Sequence, residues 1–538
     1  MKRRSIGIMF SIAAVTLTAS CVDWMDFSPR GGTEGTGGRA GAGGVCEPGS
    51  IASCYDGPSG TEGKGICQAG SKTCATDGQS FGPCTGMITP RIESCAMAHD
   101  QDCDGVLPSC NGSPIWSRSF GAGGHQYGRS GAVDSAGNAI ITGSFSSTLD
   151  FGNGPPLVCL AARNGFVAKL SASGNALWSK KFEGYYQFST GIAVDSAGNV
   201  LVTGSFSDTA NFGDGPLVSK GVFEDGFIVK LDASGKTLWS KRFGDEEAQA
   251  GQHVAVDSAG NVIVTGIFVG SADFGDGLVL SKGSQSGFVV KLDSNGKILW
   301  GKAFGSYLYE ATVAVDSAGN VLLVGAFDDS IDFGNGSLVS EGAKDVFVAK
   351  LDPSGNPLWS KRFGDGADYQ YGAGVAVDGA GNVLVLGVFA GSIDFGSGPP
   401  LTSLSGLDGF VAKLDASGES LWSVGFSGKE DILCSGVAVD SAGNVLITGY
   451  FSGITSFGAG LLGSAGEGGA FLAKLDASGN HVWSKGFGVV GGQDPRGIAV
   501  NSGGEVFITG SFTSPIDFGD GPLVSGGEDD VFVAKFSP

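Results

Sequence analysis

Residues Gly191 to Gly244 read GIAVDSAGNVLVTGSFSDTANFGDGPLVSKGVFEDGFIVKLDASGKTLWSKRFG. Four strand-like runs are visible in the stretch, short and rich in Val, Ile, Phe and Trp. The first two, GIAVD and NVLVTGSF, are joined by Ser-Ala-Gly, and the last two, FIVKLD and TLWSKRF, by Ala-Ser-Gly. Glycine there supplies the positive φ that a tight hairpin requires. The middle pair is joined by a longer connection that carries Asn-Phe-Gly-Asp-Gly.

The same unit recurs seven times. Its marker tryptophans, Trp116, Trp178, Trp239, Trp300, Trp359, Trp422 and Trp483, stand 59 to 63 residues apart. Four short strands at that period predict one propeller blade per unit. The first hairpin turns on Asp134, Asp195, Asp257, Asp316, Asp378 and Asp440, with Asn501 in the last copy. The second turns on Ser171, Asp232, Asp293, Asp352, Asp415 and Asp476. The repeat region opens on a Trp strand, Ile115 to Phe120, and ends at Val531 to Phe536 with no Trp strand after it. The opening strand therefore supplies the missing fourth strand of the last blade, which closes the ring and leaves no spare edge. The expected fold is all-β, a seven-bladed β-propeller of four-stranded antiparallel blades over 113–538, preceded by a small disulfide-rich module.

Both short turns fall at one end of each blade, so one face of the ring is flat and repetitive. The other face collects the Phe-Gly-x-Gly loops and the blade-to-blade linkers. Seven of the nine tyrosines lie in those linkers: Tyr127, Tyr185, Tyr186, Tyr307, Tyr309, Tyr369 and Tyr371. A tyrosine offers a flat apolar body with a polar tip, suited to carbohydrate or protein contact. Capping the end of a blade core suits it equally, and both readings stand.

The chain has 538 residues, with 54 acidic against 33 basic and a formal net charge of −21. Such a surface repels nucleic acid and anionic lipid, so no nucleic-acid partner is expected. Residues Met1 to Arg4 are basic, an apolar run follows from Ile6 to about Ala19, and Leu17-Thr-Ala-Ser-Cys21 closes it. The run is too short to span a bilayer comfortably and reads as a secretory signal. Residues 22–45 form a tether, Gly-rich from Ser28, that as a flexible coil spans roughly 20–25 Å. Residues 46–112 hold Cys46, Cys54, Cys67, Cys74, Cys84, Cys95, Cys103 and Cys110. An even number packed into an exported segment reads as disulfides of undetermined connectivity. No CxxC pair supports the competing zinc reading. Asp100, Asp102 and Asp104 before Gly105 match the opening of a calcium loop, but its twelfth position is Asn111 rather than Glu, so calcium and a solvated turn both stay open.

Four resemblances add to this reading. The Leu-Thr-Ala-Ser-Cys order is similar to a bacterial lipobox, which implies lipidation of Cys21 and a membrane anchor. Thr18 stands where that family prefers Leu, and ordinary cleavage is the alternative. Val22 in place of Asp resembles an outer-membrane lipoprotein. PRIESCAMAHDQDCDG, Pro90 to Gly105, is similar to a Cys-rich metal-binding module related to the MopE family. The Phe410–Leu414 run FVAKL and the Ala-Val-Asp-x-x-Gly-Asn segments resemble SBBP propeller repeats, which imply seven blades and no fixed activity. LDASGKTLW, Leu231 to Trp239, resembles the docking repeat of quinoprotein propellers, and the same repeat occurs in a non-enzymatic outer-membrane assembly lipoprotein.

No GxSxG, HExxH or P-loop motif is present, and the four histidines are far apart in sequence. Lys169, Lys230, Lys291, Lys350, Lys413, Lys474 and Lys535 recur in every blade, so they read as structural. The same holds for the loops at Asp150, Asp273, Asp332, Asp394 and Asp517. The expected function is a non-enzymatic cell-envelope lipoprotein whose loop face binds a surface polysaccharide or a protein, with no cofactor beyond the open calcium question. A periplasm-facing assembly scaffold and a quinoprotein-like enzyme are the alternatives.

Overall fold

A computed structural model describes residues 46–57, 60–64, 66–89 and 111–538, except 275–277, 306, 367–368, 405, 429, 458–460, 464–467 and 489–491. Cys21, Cys95, Cys103, Cys110 and the three aspartates Asp100, Asp102 and Asp104 lie outside the described residues. Two compact units are present, one of them built on 46–57 and 68–89. It is a ribbon of Ile51–Cys54 against Gly70–Thr73, held by the disulfides Cys46–Cys74 and Cys54–Cys84. Cys67 is disulfide-bonded as well. So small a unit buries little apolar surface, and cross-links over 28 and 30 residues replace a core, each worth about 3–4 kcal/mol in the loop-entropy account. Disulfides of this kind persist in an oxidising, extracytoplasmic compartment.

The other unit is the seven-bladed propeller. Each blade is a four-stranded antiparallel sheet in chain order from the inside out. The first strands are Gln126–Val133, Glu183–Val194, Gln249–Val256, Tyr307–Val315, Gln370–Val377, Ile432–Val439 and Gln493–Val500, in blades 1 to 7. Neighbouring first strands touch one another in an unbroken circuit, so they line the centre. The second and third strands read Val-Leu-Val-Thr-Gly-Ser-Phe and Gly-Phe-Ile-Val-Lys-Leu in blade 2, apolar on both faces, because each is covered by a blade on either side.

The last blade is completed as the repeat offset implies. Pro114–Phe120 pairs with Asp530–Phe536, with Trp116 opposite Lys535 and Phe120 opposite Val531. A phenylalanine staple joins every pair of blades, an indole staple joins six of the seven pairs, and both cross this seam. In the first, the phenylalanine ending each fourth strand packs on the Phe-Gly phenylalanine of the next blade. Phe182 meets Phe212 at 5.0 Å, Phe304 meets Phe333 at 4.9 Å, and Phe120 meets Phe151 across the seam at 4.8 Å. In the second, the indole N–H donates to a carbonyl in the next blade's outer turn, Trp178 to Ala233 at 3.0 Å and Trp116 to Ala172 at 2.9 Å, whereas that of Trp483 is buried without an acceptor among the described residues. The turn glycine lies beneath the ring, where a Cβ at Gly235 would meet Trp178 at 2.9 Å. The outer turn of blade 7 is cut by the chain ends, and Gly112, four residues before Trp116, takes its place beneath Trp483.

The recurring lysines and turn aspartates are partners. Lys169 reaches Asp134 at 2.8 Å, Lys291 reaches Asp257 at 3.0 Å, and the pattern holds through Lys474 and Asp440. These side chains are buried. Burial pushes the aspartate pKa up, but hydrogen bonds from the lysine and the turn asparagine outweigh it and hold the carboxyl below its usual range. The Asp150-type loops are closed by their own carboxylates, which accept the amide two residues on, as Asp150 does from Gly152 at 2.7 Å.

Two details differ from the sequence reading. The connection between second and third strands is not plain loop, since it carries a small extra ribbon such as Ser330–Asp332 with Ser337–Val339. The linkers are also shorter than they read, because the first strands start earlier. Tyr127, Tyr185, Tyr186, Tyr307, Tyr309 and Tyr371 are strand residues, and Tyr369 sits in an isolated bridge. The flanking glutamines Gln126, Gln187, Gln249 and Gln370 are polar and so read as linker, but they are buried; three of them open those strands and Gln187 lies within its own.

Candidate loop-face site

The face opposite the Asp-x-x-Gly turns is organised by one repeated backbone contact. At six of the seven blade junctions, the amide of a residue at or near the start of a first strand donates to the carbonyl of the residue that precedes the third strand of the blade before. Gln187 donates to Arg163 at 3.1 Å, Gln249 to Glu224 at 2.8 Å, Gln370 to Lys344 at 3.0 Å, and Gln126 to Asp529 across the seam at 2.7 Å. The carbonyl is used for structure, which leaves the side chain free to vary. Around the ring this position reads Arg163, Glu224, Gln285, Lys344, Leu407, Gly468 and Asp529. The residue three places further on is a constant, buried phenylalanine.

Side chains from several blades meet inside that ring in two clusters. The first spans blades 7, 1 and 2. The His125 ring stands 2.7 Å from Asp529 through Nδ1 and 2.6 Å from Glu528 through Nε2. It stacks on Tyr127. Arg129 and Arg163 approach the Tyr127 ring to 5.3 and 5.1 Å, and Arg163 also lies 4.7 Å from the Phe188 ring. Arg496 pairs with Asp494 at 2.8 Å. Burial, with the positive charges of Arg496 and Arg163, depresses the Arg129 pKa.

The second cluster spans blades 3, 4 and 5. His253 Nε2 is 2.8 Å from Glu310, and the Tyr371 hydroxyl donates to the other oxygen of the same carboxylate. Burial pushes the Glu310 pKa up, but hydrogen bonds from His253 and Tyr371 and the charge of Arg496 hold it below the usual range. Burial and the Glu310 charge raise the Tyr371 pKa, which keeps the phenol neutral. The Lys344 ammonium lies 3.2 Å from the Tyr309 ring centre and 4.8 Å from that of Tyr369.

Between blades 2 and 3 a cleft of about 450 Å³ opens on the same face, walled by Tyr186, Val222, Phe223, Ile267 and Val269. Val222 and Phe223 are exposed. Of the seven tyrosines singled out in sequence, Tyr185 and Tyr307 are the exposed ones. Tyr127 and Tyr186 flank Arg163, by ring contact and by backbone bridge, while Tyr369 and Tyr371 pack against an inter-blade core. The arginines, His125, His253 and Glu310 were not singled out. Their signal was a variable slot inside a constant motif, for Arg163 the third place before the Phe of x-Asn-Gly-Phe.

No group of three or more His, Cys, Asp or Glu side chains placed to hold a metal ion occurs among the described residues. Cys159 and Cys434 are free and buried, and burial pushes the Cys434 thiol up to about 12. Both are small residues of the core.

No family model matches the chain. It is 24% identical over 447 residues to an uncharacterized WD repeat-containing protein of Acanthamoeba polyphaga mimivirus, covering 66% of this chain and 32% of that protein, so it spans about a third of its length. Among solved structures it is similar to polysaccharide lyase Uly1, at 10% identity and a TM-score of 0.42, covering 76% of this chain and 90% of that one. It is similar also to the β-propeller domain of the Trilobed protease from Pyrococcus furiosus, at 9% identity and a TM-score of 0.39, covering 77% and 98%. Sqt1 from Chaetomium thermophilum matches at 12% identity and a TM-score of 0.39, covering 79% and 99%.

Proposed function

We propose that this chain is a non-enzymatic lipoprotein of the cell envelope, anchored through Cys21 and probing its surroundings with the propeller's loop face. Its partner is a surface polysaccharide or an envelope protein. The observation that carries this reading is the contrast between the two faces. The turn face repeats one Asp-x-x-Gly solution around the ring, whereas the loop face carries differing side chains on one backbone contact repeated at six of the seven blade junctions. Freed from structural duty, such positions are where a ring of equal blades acquires specificity. Exposed Tyr185, Tyr307 and Phe223 add rigid aromatic contact area there.

The test compares the two faces on the full chain. Tyr185→Ala with Tyr307→Ala is expected to weaken binding to envelope polysaccharide or outer-membrane protein at least tenfold, since a buried aromatic anchor contributes about 2 kcal/mol or more. Leu238→Ala, exposed on the turn face, is expected to leave binding unchanged. The opposite pattern moves the site to the turn face. For the anchor, Cys21→Ala is expected to abolish labelling by a fatty-acid analogue and release the protein from the membrane fraction. Unchanged labelling overturns it.

A further inference from the structure

Six arginines occur among the described residues, and three are accounted for by the fold. Arg242 and Arg362 neutralise the buried carboxylates Asp225 and Asp345 at 2.6 and 2.7 Å, and Arg118 lies over Trp116 on the outer strand of blade 7. The other three, Arg129, Arg163 and Arg496, are gathered where blades 7, 1 and 2 meet at the loop face. Arg129 and Arg496 are the extra residues of β-bulges in their first strands, between Gly128 and Ser130 and between Pro495 and Gly497. A bulge re-aims the extra side chain out of the ladder. The two strands run in close approach at these points, since a Cβ at Gly497 would meet the Gly131 amide nitrogen at 2.6 Å. Arg129 and Arg163 form no ion pair among the described residues; their contacts are the faces of Tyr127 and Phe188.

In a chain of net charge −21, two guanidiniums outside any ion pair, held beside a third, are left with hydrogen-bond donors that the fold does not use, although the charge of Asp494 reaches Arg129. Nothing in the blade repeat demands them, because the bulge residues of the other first strands are Thr190, Gln252, Tyr309, Ala373 and Ser435. A guanidinium fork matches the two oxygens of a carboxylate, and contact with the Tyr127 ring helps to hold it in place. Next to it, Tyr186 packs edge-on against Phe188 at 5.0 Å and walls the apolar cleft that also holds Phe223. An apolar, aromatic cleft beside an anion fork suits a sugar ring that carries an acid group. The rim sets a limit on charge, for Asp494, Asp529 and Glu528 stand beside the arginines. A polyanion meets those carboxylates and the −21 background with every charge it carries, whereas a single carboxylate brings one charge to the forks.

We propose that the seam of blades 7, 1 and 2 is a subsite for one uronic-acid residue of an otherwise neutral glycan, with Arg129 and Arg163 on its carboxylate and Tyr186 and Phe223 against its neighbouring sugar. The assignment rests on the loop-face reading above and names the ligand class for it.

The experiment is calorimetric titration of the full chain with xylobiose capped by glucuronic acid, with xylotriose as the neutral match and a glutamate-capped tripeptide as the acidic non-sugar. The capped sugar is expected to bind, and Arg163→Gln to weaken it about 10- to 100-fold, the value of one charge-assisted bidentate contact. Arg163→Lys is expected to fall between, and Arg118→Gln to match the unsubstituted chain. Xylotriose is expected to bind more weakly and not to respond to Arg163→Gln. Equal affinity for capped and neutral sugars, or no response to Arg163→Gln, overturns the uronate assignment. The tripeptide binding as tightly as the capped sugar overturns the sugar part, and failure of both sugars to bind overturns the whole subsite. None of these results touches the broader loop-face reading, which fails only if Tyr185→Ala with Tyr307→Ala leaves partner binding unchanged.

Discussion

Asp257→Asn is expected to destabilise the propeller by about 3–5 kcal/mol in chemical unfolding, and adding Asn261→Glu is expected to restore most of that loss. The reasoning starts from Lys291, whose side chain is 3% exposed and whose ammonium has Asp257 at 3.0 Å as its counter-charge. The same ammonium donates to the Pro353 carbonyl of the next blade at 3.3 Å, beside the Trp300 indole that uses that carbonyl at 3.0 Å. Removing the carboxylate leaves a buried, unpaired cation at a blade junction, which is the expensive half of breaking such a pair. Blade 7 shows the cure. There the turn has Asn501 in place of aspartate, and Glu505 stands where the other first turns have asparagine, so Lys535 finds its carboxylate at 2.7 Å from four residues further along. One carboxylate per lysine persists while its position moves. The double substitution transplants that arrangement into blade 3. Recovery to within about 1 kcal/mol supports a requirement for charge pairing. No recovery would contradict that requirement, because an asparagine at this place keeps the turn's amide hydrogen bonds, as Asn501 does by accepting from Gly503 and Glu505 at 3.0 Å.

The ring was legible in sequence because its causes repeat. Trp, Asp-x-x-Gly and Phe-Gly each solve a local problem seven times, and the offset between Ile115 and Phe536 revealed how the ends meet. The Lys–Asp pairing was visible as two repeated residues but not as one contact, because the partners lie on different strands joined only by blade geometry. The loop-face clusters were illegible for a different reason. They occur where the copies disagree, and closure brings together residues such as His125 and Asp529, 404 positions apart. Tyrosine content pointed to the face where these clusters lie, since Tyr127 and Tyr186 flank Arg163, but it gave equal weight to Tyr371, whose ring packs against an inter-blade core. The signal for the arginines was chemical rather than repetitive, namely basic residues at variable slots in an acidic chain.

Deleting 113–121 is expected to have the larger effect of the two. It removes Trp116 and Phe120, 5% and 7% exposed, together with both staples across the seam. Each large buried aromatic is worth about 3–5 kcal/mol when truncated, so even with incomplete additivity the loss exceeds about 5 kcal/mol. It also opens the seam at which Asp529 meets His125, so the loop-face site loses its frame along with the ring. The central claim is that seven blades form one closed ring whose seam builds the binding face. Hydrogen exchange along Asp530–Phe536 tests it most directly, because that strand lies between Val506–Phe512 and the deleted segment. In the intact chain these amides are expected to be among the most protected. After the deletion, those that paired with the lost strand should exchange rapidly, along with the blade 1 turn around Ala172 that received the Trp116 bond. Unchanged protection in both places would contradict the closed ring.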